Sequence, residues 1–278
     1  MNNPLVSIII PTRDCSENLK RSLEKISKQI YQNIEIIIID GNSIDNTKEI
    51  ARQYTDKVFN FEKQGDHRSA QRNFGARKAH GEYVLIIDSD MELSENVVFN
   101  CVKKIESDKN IAGIIIPEES FGEGFWAQCK KLERSFYVGV DWMEAARFFE
   151  KNAFLKAGGF DESMVSGEDW DLSQKIRRLG KIDRINELIL HNEGKISLLK
   201  TIKKKYYYGS KFNEYLKNNE QENNIKNQTG IIKRYKLFLS QPKKFFKNPI
   251  LGIGMLFMKT CEFVFGGAGY LIKKLKKL

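Results

Sequence analysis

Cysteine is scarce and scattered. Cys15, Cys101, Cys129 and Cys261 form no CxxC pair, which argues against a zinc ribbon or a disulfide framework and fits a reducing compartment. A secretory leader is not expected, because Met1 to Pro4 run straight into the apolar stretch Val6–Ile10, too short for a signal-peptide core. No apolar run has the purity of a membrane span. The longest, Ile250–Ile272, is broken by Lys259, Glu262 and three glycines, Gly266, Gly267 and Gly269. No recognised nucleic-acid module is present.

The chain does carry a strong asymmetry of charge. Residues 1–194 hold 27 Lys and Arg against 32 Asp and Glu, a net of −5, whereas residues 195–278 hold 19 against 4, a net of +15. An acidic body with a basic tail implies a polyanionic partner for the tail. With 278 residues, 41% of them hydrophobic, the chain is long enough for one large α/β domain with an appendage, and wholesale disorder is excluded.

The first two thirds alternate strand and helix signals. Val6–Ile10, Ile34–Ile39, Val58–Phe61, Tyr83–Ile87 and Ile111–Ile116 are short β-branched runs of the kind buried on both faces of a sheet. Between them, Leu19, Leu23, Ile26 and Ile30 recur at helical spacing, Ser43 or Asp45 is placed to cap a helix reaching Gln53, Ser69–Ala79 reads as helix, and Ser94 is placed to cap a helix to about Ser107. This rhythm predicts a mostly parallel sheet flanked by helices. Further on, Phe125–Tyr137, Lys151–Ala157 and Asp169–Leu179 read as helices, and Ala145–Phe149 and Ile189-Leu190 as strands. Leu198–Leu216 is helical in period, and the Asn/Gln-rich Lys217–Gly230 reads as a linker. The expected division is a catalytic domain over 1–195, a basic helical extension and linker over 196–248, and an amphipathic or membrane-associated segment over 249–278.

Two acidic motifs carry the chemistry. Asp88-Ser89-Asp90 ends a buried strand, where parallel sheets bind ligands. Two carboxylates with one spacer can hold a divalent cation such as Mg²⁺ or Mn²⁺, which would neutralise a diphosphate as it leaves; the alternative is a solvated strand-end turn. Gly167-Glu168-Asp169-Trp170-Asp171-Leu172 sets acids at a helix start. They either complement the helix dipole or supply a general base for an attacking hydroxyl, with Asp169 the candidate base, Glu168 an acceptor contact and Asp171 an orienting residue.

Taken in order, Val6-Ser7-Ile8-Ile9-Ile10-Pro11-Thr12-Arg13, Ile39-Asp40-Gly41-Asn42-Ser43-Ile44-Asp45-Asn46-Thr47, Gln71-Arg72-Asn73-Phe74-Gly75-Ala76, Gly81-Glu82-Tyr83-Val84-Leu85-Ile86-Ile87-Asp88-Ser89-Asp90, Gly158-Gly159-Phe160-Asp161-Glu162 and the Gly167–Leu172 motif resemble glycosyltransferase family 2, with the GT-A fold, over roughly residues 5–195. The resemblance implies an inverting, metal-assisted hexosyltransferase-like enzyme that uses a nucleotide-diphosphate-sugar donor. It places Pro11, Thr12, Arg13 and Asp40 at the nucleoside, Arg68 and Arg72 near the diphosphate, Asp88 and Asp90 at Mn²⁺ or Mg²⁺, Gly159 at the donor sugar and Asp169 as catalytic base. His191 sits where relatives carry a histidine that completes the metal site, although an imidazole without a ligand role is the alternative. The family commonly has a second Asp after the position of Asp40, and here Gly41 follows.

Lys130, Arg134 and Arg147 lie between the metal motif and the base, where acceptors are recognised, and are candidates to bind an anionic, lipid-linked or glycan acceptor. The tail, with Lys259 and Glu262 three apart and able to pair, fits an interfacial helix or helical hairpin on anionic lipid better than a span, the alternative being an ordinary docking helix that covers the catalytic domain. The expected place is the cytoplasmic face of a membrane, with no nucleic-acid partner. Two rival readings are a nucleotidyltransferase acting on a sugar phosphate and a catalytically degenerate membrane-binding module. The first wants a Gly-rich, Lys-bearing loop that Pro11–Ser16 does not provide. The second is opposed by the intact carboxylates at 88, 90, 168 and 169.

Overall fold

The computed structural model describes residues 3–62, 68–219 and 225–275. In chain order it begins β1 (Val6–Thr12), α1 (Ser16–Ile26), β2 (Ile34–Asp40), α2 (Thr47–Arg52), β3 (Val58–Asn60), α3 (Arg68–Lys78), β4 (Tyr83–Ile86), β5 (Met91–Leu93), α4 (Val97–Glu106) and β6 (Ile111–Ile115). Next come β7 (Glu118–Glu123), α5 (Phe125–Ser135), β8 (Ala146–Glu150), α6 (Lys151–Lys156), α7 (Glu168–Arg177), β9 (Lys181–Arg184) and β10 (Ile189–Lys195). The remainder is helical: α8 (Leu198–Lys211), α9 (Asn213–Asn218), α10 (Ile225–Thr229), α11 (Ile231–Leu239), α12 (Pro242–Phe246) and α13 (Pro249–Leu275).

These elements form two compact units. The first comprises residues 1–118, 145–162 and 168–192; the second comprises 119–144, 163–167 and 193–278. The first unit is built on a seven-stranded sheet in the order β3-β2-β1-β4-β8-β6-β9. Its pairings are parallel except those of β8, which runs antiparallel to β4 and β6. Every residue of β1 is buried, because successive side chains enter cores on opposite faces. Ile8 and Ile10 pack with Leu19, Leu23 and Val98, and Ile9 packs with Ala76, Phe149 and Leu172. That is why the strand reads as an unbroken apolar run.

The expected GT-A-like α/β architecture is therefore present, with local differences. Ile30 falls beyond the end of α1 and is half exposed, at 51%. Ser94 does not cap α4: its hydroxyl is spent on the Leu188 carbonyl, and the helix starts after Asn96. Of the two residues placed to cap α2, Ser43 bonds Asp40 instead, whereas Asp45 Oδ1 accepts from the amide of Thr47, the first residue of the helix, at 3.0 Å. The linker expected over 217–230 contains α10, with Gln228 buried, in its described part; residues 220–224 lie outside the described residues. The short strands β5, β7 and β9 had no clear sequence signal.

The second unit has its own core, in which Cys129 and Phe136 of the α5 region meet Phe238, Phe245, Met255 and Met258. The segment around α5, expected within the catalytic domain, belongs to this unit.

Candidate active site

The site is assembled in the first unit, at the carboxyl ends of β1, β2 and β4. Thr12 and Asp40 are register partners at the ends of β1 and β2. Asp40 is fully buried and its carboxylate is occupied: Oδ1 accepts from Thr12 Oγ1 at 3.0 Å and from Ser43 Oγ at 2.5 Å, and Oδ2 accepts from the Ser43 amide at 2.9 Å. Asp40 thus shapes the loop next to β1 and does not face outward, unlike the base or ribose contact expected of it. Asp14 and Asn42 both adopt left-handed backbone, with φ of 46° and 61°, a conformation that Asp and Asn hold more readily than other non-glycine residues. Pro11 and Thr12 are buried and Arg13 is exposed. A Cβ on Gly41 would approach Gln71 Nε2 to 3.1 Å and the Thr12 carbonyl to 3.3 Å, so the second Asp common in the family meets crowding here.

The centre of the site is Arg72. Helix α3 is polar yet buries Ser69, Gln71, Arg72 and Asn73, which is tolerable only because these side chains find partners. Arg72 is 1% exposed. Its Nη2 donates to Asp88 Oδ1 at 2.6 Å, and its Nη1 donates to Asp169 Oδ1 at 3.2 Å and lies 3.6 Å from Glu168 Oε1. Its guanidinium carbon is 5.0 Å from the centroid of the Phe160 ring. One buried fork thereby joins the strand-end motif to the acidic start of α7, elements far apart in the chain. Burial alone would raise the Asp88 carboxyl, but the charges of Arg72, Arg147 and Arg68 hold it well below the usual carboxylate range. Glu168 goes the other way: burial, then the neighbouring Asp169, push it up to about 7 against the pull of Arg72 and Arg68.

The sign of that shift gives a prediction. A carboxyl raised from 4.5 to about 7 keeps its proton in the folded state where the unfolded chain has lost it. Its contribution to stability is complete below pH 4.5 and is lost as the pH rises to 7. Glu168→Gln is expected to gain thermal stability relative to the parent at pH 8 and to gain none at pH 5, checked by melting temperature against pH. A gain that did not depend on pH would reject the shift.

Asp90 and His191 meet through strand pairing. β5 runs antiparallel to β10 with Met91 opposite His191, and the Asn192 amide donates to the Asp90 carbonyl at 2.8 Å. This brings His191 Nε2 to 3.3 Å from Asp90 Oδ2, with His191 Nδ1 3.7 Å from Glu118 Oε2. Asp90 Oδ1 is buried and has no hydrogen-bond partner. An unsatisfied carboxylate oxygen beside an imidazole suits Mn²⁺ or Mg²⁺ as part of a ligand set. Among the described residues no cluster of three or more His, Cys, Asp or Glu is arranged to hold a metal, and Asp88 is turned to Arg72.

Asn73 clamps the turn before α7. Its Oδ1 accepts from the Phe160 amide at 2.9 Å and its Nδ2 donates to the Phe160 carbonyl at 2.8 Å. Gly159 has φ of 67°, and a Cβ there would lie 2.4 Å from Asn73 Oδ1, so only glycine fits. At the base, Ser173 Oγ donates to the Asp169 carbonyl and accepts from the Ala146 amide, tying α7 to β8. Asp171 is buried with Lys175 Nζ 2.7 Å from its Oδ2.

The three basic residues expected at the acceptor part company. Arg147, on β8, bonds Glu118 at 2.6 Å, and its charge acts on Asp88 and Asp169, so it belongs to the site. Lys130 and Arg134 belong to the second unit. Lys130 is 2.7 Å from Glu133 and 3.1 Å from Glu262 in a buried ion cluster, and Arg134 lies 3.7 Å from Glu193. Sequence reasoning missed the bridging geometry of Arg72, the Asn73 clamp and Glu118. The first two had a signal, a helix too polar to be buried unless its side chains bond. Glu118, just past Pro117, had none.

The family model for glycosyl transferase family 2 matches residues 7–163, which contain all of β1 but its first residue, together with β4, Arg72 and the Asp88–Asp90 motif. The chain is 24% identical over 207 residues to an uncharacterized glycosyltransferase of Rickettsia typhi, covering 68% of this chain and 63% of that protein. It is 33% identical over 130 residues to the glycosyltransferase GlyG of Streptococcus pneumoniae, covering 44% and 43%. It thus spans less than two thirds of the length of either relative. Among solved structures, the mannosyltransferase PcManGT of Pyrobaculum calidifontis, in complex with GDP-Man and Mn²⁺, superposes with a TM-score of 0.65 over 100% of this chain and 89% of its own, at 14% identity, a likeness of fold. This chain belongs to glycosyl transferase family 2, and its fold is GT-A-like.

Proposed function

We propose that the protein transfers a sugar, with inversion, from a nucleotide-diphosphate-sugar to a hydroxyl or phosphate of a lipid-linked or glycan acceptor at a membrane surface. The observation that carries this reading is the Arg72 fork, which bonds Asp88 and Asp169 at once. It sets the donor-side motif and the candidate base on opposite arms of one guanidinium.

In this reading Asp169 accepts the proton of the attacking hydroxyl. Its side chain is 35% exposed, so an acceptor can reach it, and Arg72 fixes one of its oxygens. Pro11, Thr12 and Arg13 receive the nucleoside on the loop that Asp40 holds. Arg68 and Arg147 supply positive charge for the departing diphosphate, and Gly159 leaves room for the donor sugar. Glu168, protonated over part of the neutral range, contacts the acceptor. Asp90 and His191, with Asp88 nearby, would hold Mn²⁺ or Mg²⁺, whose chemistry when bound is neutralisation of diphosphate charge. Support for a membrane partner comes from the basic tail and from α13, long and apolar enough by composition to cross a bilayer.

A panel of nucleotide sugars screened by thermal shift with and without Mn²⁺ tests the proposal. One donor is expected to raise the melting temperature by mass action, more so with the metal, and to yield the nucleoside diphosphate on turnover. Released pyrophosphate would favour the nucleotidyltransferase reading instead, and no stabilisation by any donor would favour the degenerate module.

A further inference from the structure

Helix α13 raises a question of its own. Its 27 residues suffice for a bilayer, yet Lys259 and Glu262 sit near its middle. In the second unit both are buried, at 6% and 3% exposure. Lys259 Nζ is 2.6 Å from Glu133 and 2.8 Å from Glu262, and Lys130 Nζ bridges Glu133 and Glu262. Tyr137 Oη donates to Glu133 at 2.5 Å. This interlocked cluster pins α13 to α5. Further along, α13 lies against α8 at backbone contact. A Cβ on Gly209 would fall 2.0 Å from the Gly266 carbonyl oxygen, and one on Gly269 would fall 2.1 Å from the Tyr206 carbonyl oxygen. Two of the three glycines that break the apolar run, Gly266 and Gly269, therefore form the surface on which α8 seats, while Gly267 faces open space.

The opposite side of α13 is mostly apolar, interrupted by the exposed Thr260. Ile250 (72% exposed), Ile253 (66%), Phe257, Val264 (60%), Leu271 (57%) and Leu275 recur at helical spacing. They form one stripe without a charge. Lysines stand at both ends: Lys243, Lys244 and Lys247 before the helix, Lys273 and Lys274 at its close, all exposed.

We infer that α13 is an in-plane anchor, lying along an anionic bilayer with this stripe sunk to the acyl boundary and the terminal lysines at the phosphates. The inference deepens the membrane part of the proposed function and rests on it. Charge complementarity selects the occupant, since a net +15 tail meets anionic lipid. Crossing is opposed by what is docked on the helix. α8 and α5 would have to enter hydrocarbon with it, α8 carrying exposed Lys203, Lys204 and Lys211, and each such charge is strongly unfavourable there. The buried ion cluster thus holds the helix in one register and leaves its apolar stripe outward.

The test uses the full chain, because deleting α13 would take Lys259 from Glu133 and Glu262 from Lys130. Nitroxide labels are placed singly at Ile253→Cys, Val264→Cys and Leu271→Cys, with Cys15 and Cys261 replaced by serine. Depth is then read by paramagnetic relaxation on vesicles of phosphatidylcholine mixed with phosphatidylserine. All three labels are expected at one shallow depth. A profile deepest at 264 and shallow at 253 and 271 would overturn the in-plane anchor while leaving a membrane partner. Absence of binding to these vesicles would overturn both, while donor turnover, assayed separately, would judge the catalytic reading alone. Ile253→Glu and Leu271→Glu, which alter only outward positions, are expected to lower vesicle partitioning by roughly ten-fold or more with an unchanged melting temperature. Undiminished partitioning would reject the stripe.

Discussion

Asp169→Asn is expected to abolish sugar transfer while donor affinity stays within a few-fold of the parent. The substitution is nearly isosteric, and the amide oxygen can still accept from Arg72 Nη1, which lies 3.2 Å from Asp169 Oδ1. What it removes is the lone pair that takes the acceptor's proton. General-base assistance is worth about 10²- to 10⁴-fold, and the loss should fall on kcat, since the base acts in the transition state and the donor binds on the other arm of the fork. Donor affinity measured by calorimetry, beside nucleoside diphosphate release with and without acceptor, separates the two. Unchanged turnover would reject Asp169 as the base.

Arg72→Met is expected to destabilise the fold by about 3–5 kcal/mol, the range for stripping one partner from a buried ion pair. The reason is local. The guanidinium is 1% exposed and touches Asp88, Asp169 and Glu168. Without it, Asp88, Asp169 and the buried Glu168 lose the guanidinium that faces all three. Arg72→Lys separates stability from function. The ammonium restores a charge, and with it most of the stability, but a single point charge cannot hold Asp88 and Asp169 together as the planar fork does. Transfer should therefore fall strongly in the lysine variant while its unfolding free energy, read from denaturant titration, stays closer to the parent. A methionine variant of parental stability would show that the three carboxylates do not depend on this guanidinium for compensation.

These two results also bear on how the site is built. The Asp88 carboxyl is depressed by Arg72 despite its burial, and Glu168 is raised despite Arg72. One cation serves three acids unequally, with contacts of 2.6, 3.2 and 3.6 Å. The least well paired acid is the one that keeps its proton, as expected when the cost of desolvation is offset only where a partner is close. The same logic explains the cluster under α13, where Lys130 and Lys259 alternate with Glu133 and Glu262. Both are buried arrangements in which geometry, not charge count, decides which group is satisfied.

The alternation of β-branched runs with helical spacings was enough to define the sheet, because β1 is buried on both faces and leaves a continuous apolar record in the sequence. The order and spacing of six motifs together, none of them sufficient alone, was enough to name the family, since each sits at a strand or helix end that local residues specify. Only the tertiary structure decided how the side chains are used. Arg72 looked like a donor ligand and became the brace between two motifs; Asp40 looked like a nucleoside contact and became the internal clasp of its loop. Lys130 looked like an acceptor site and became part of a buried ion cluster with residues more than a hundred positions away. Periodicity reports whether a residue faces a core, but which partner a buried charge meets depends on chain crossings that no local pattern records.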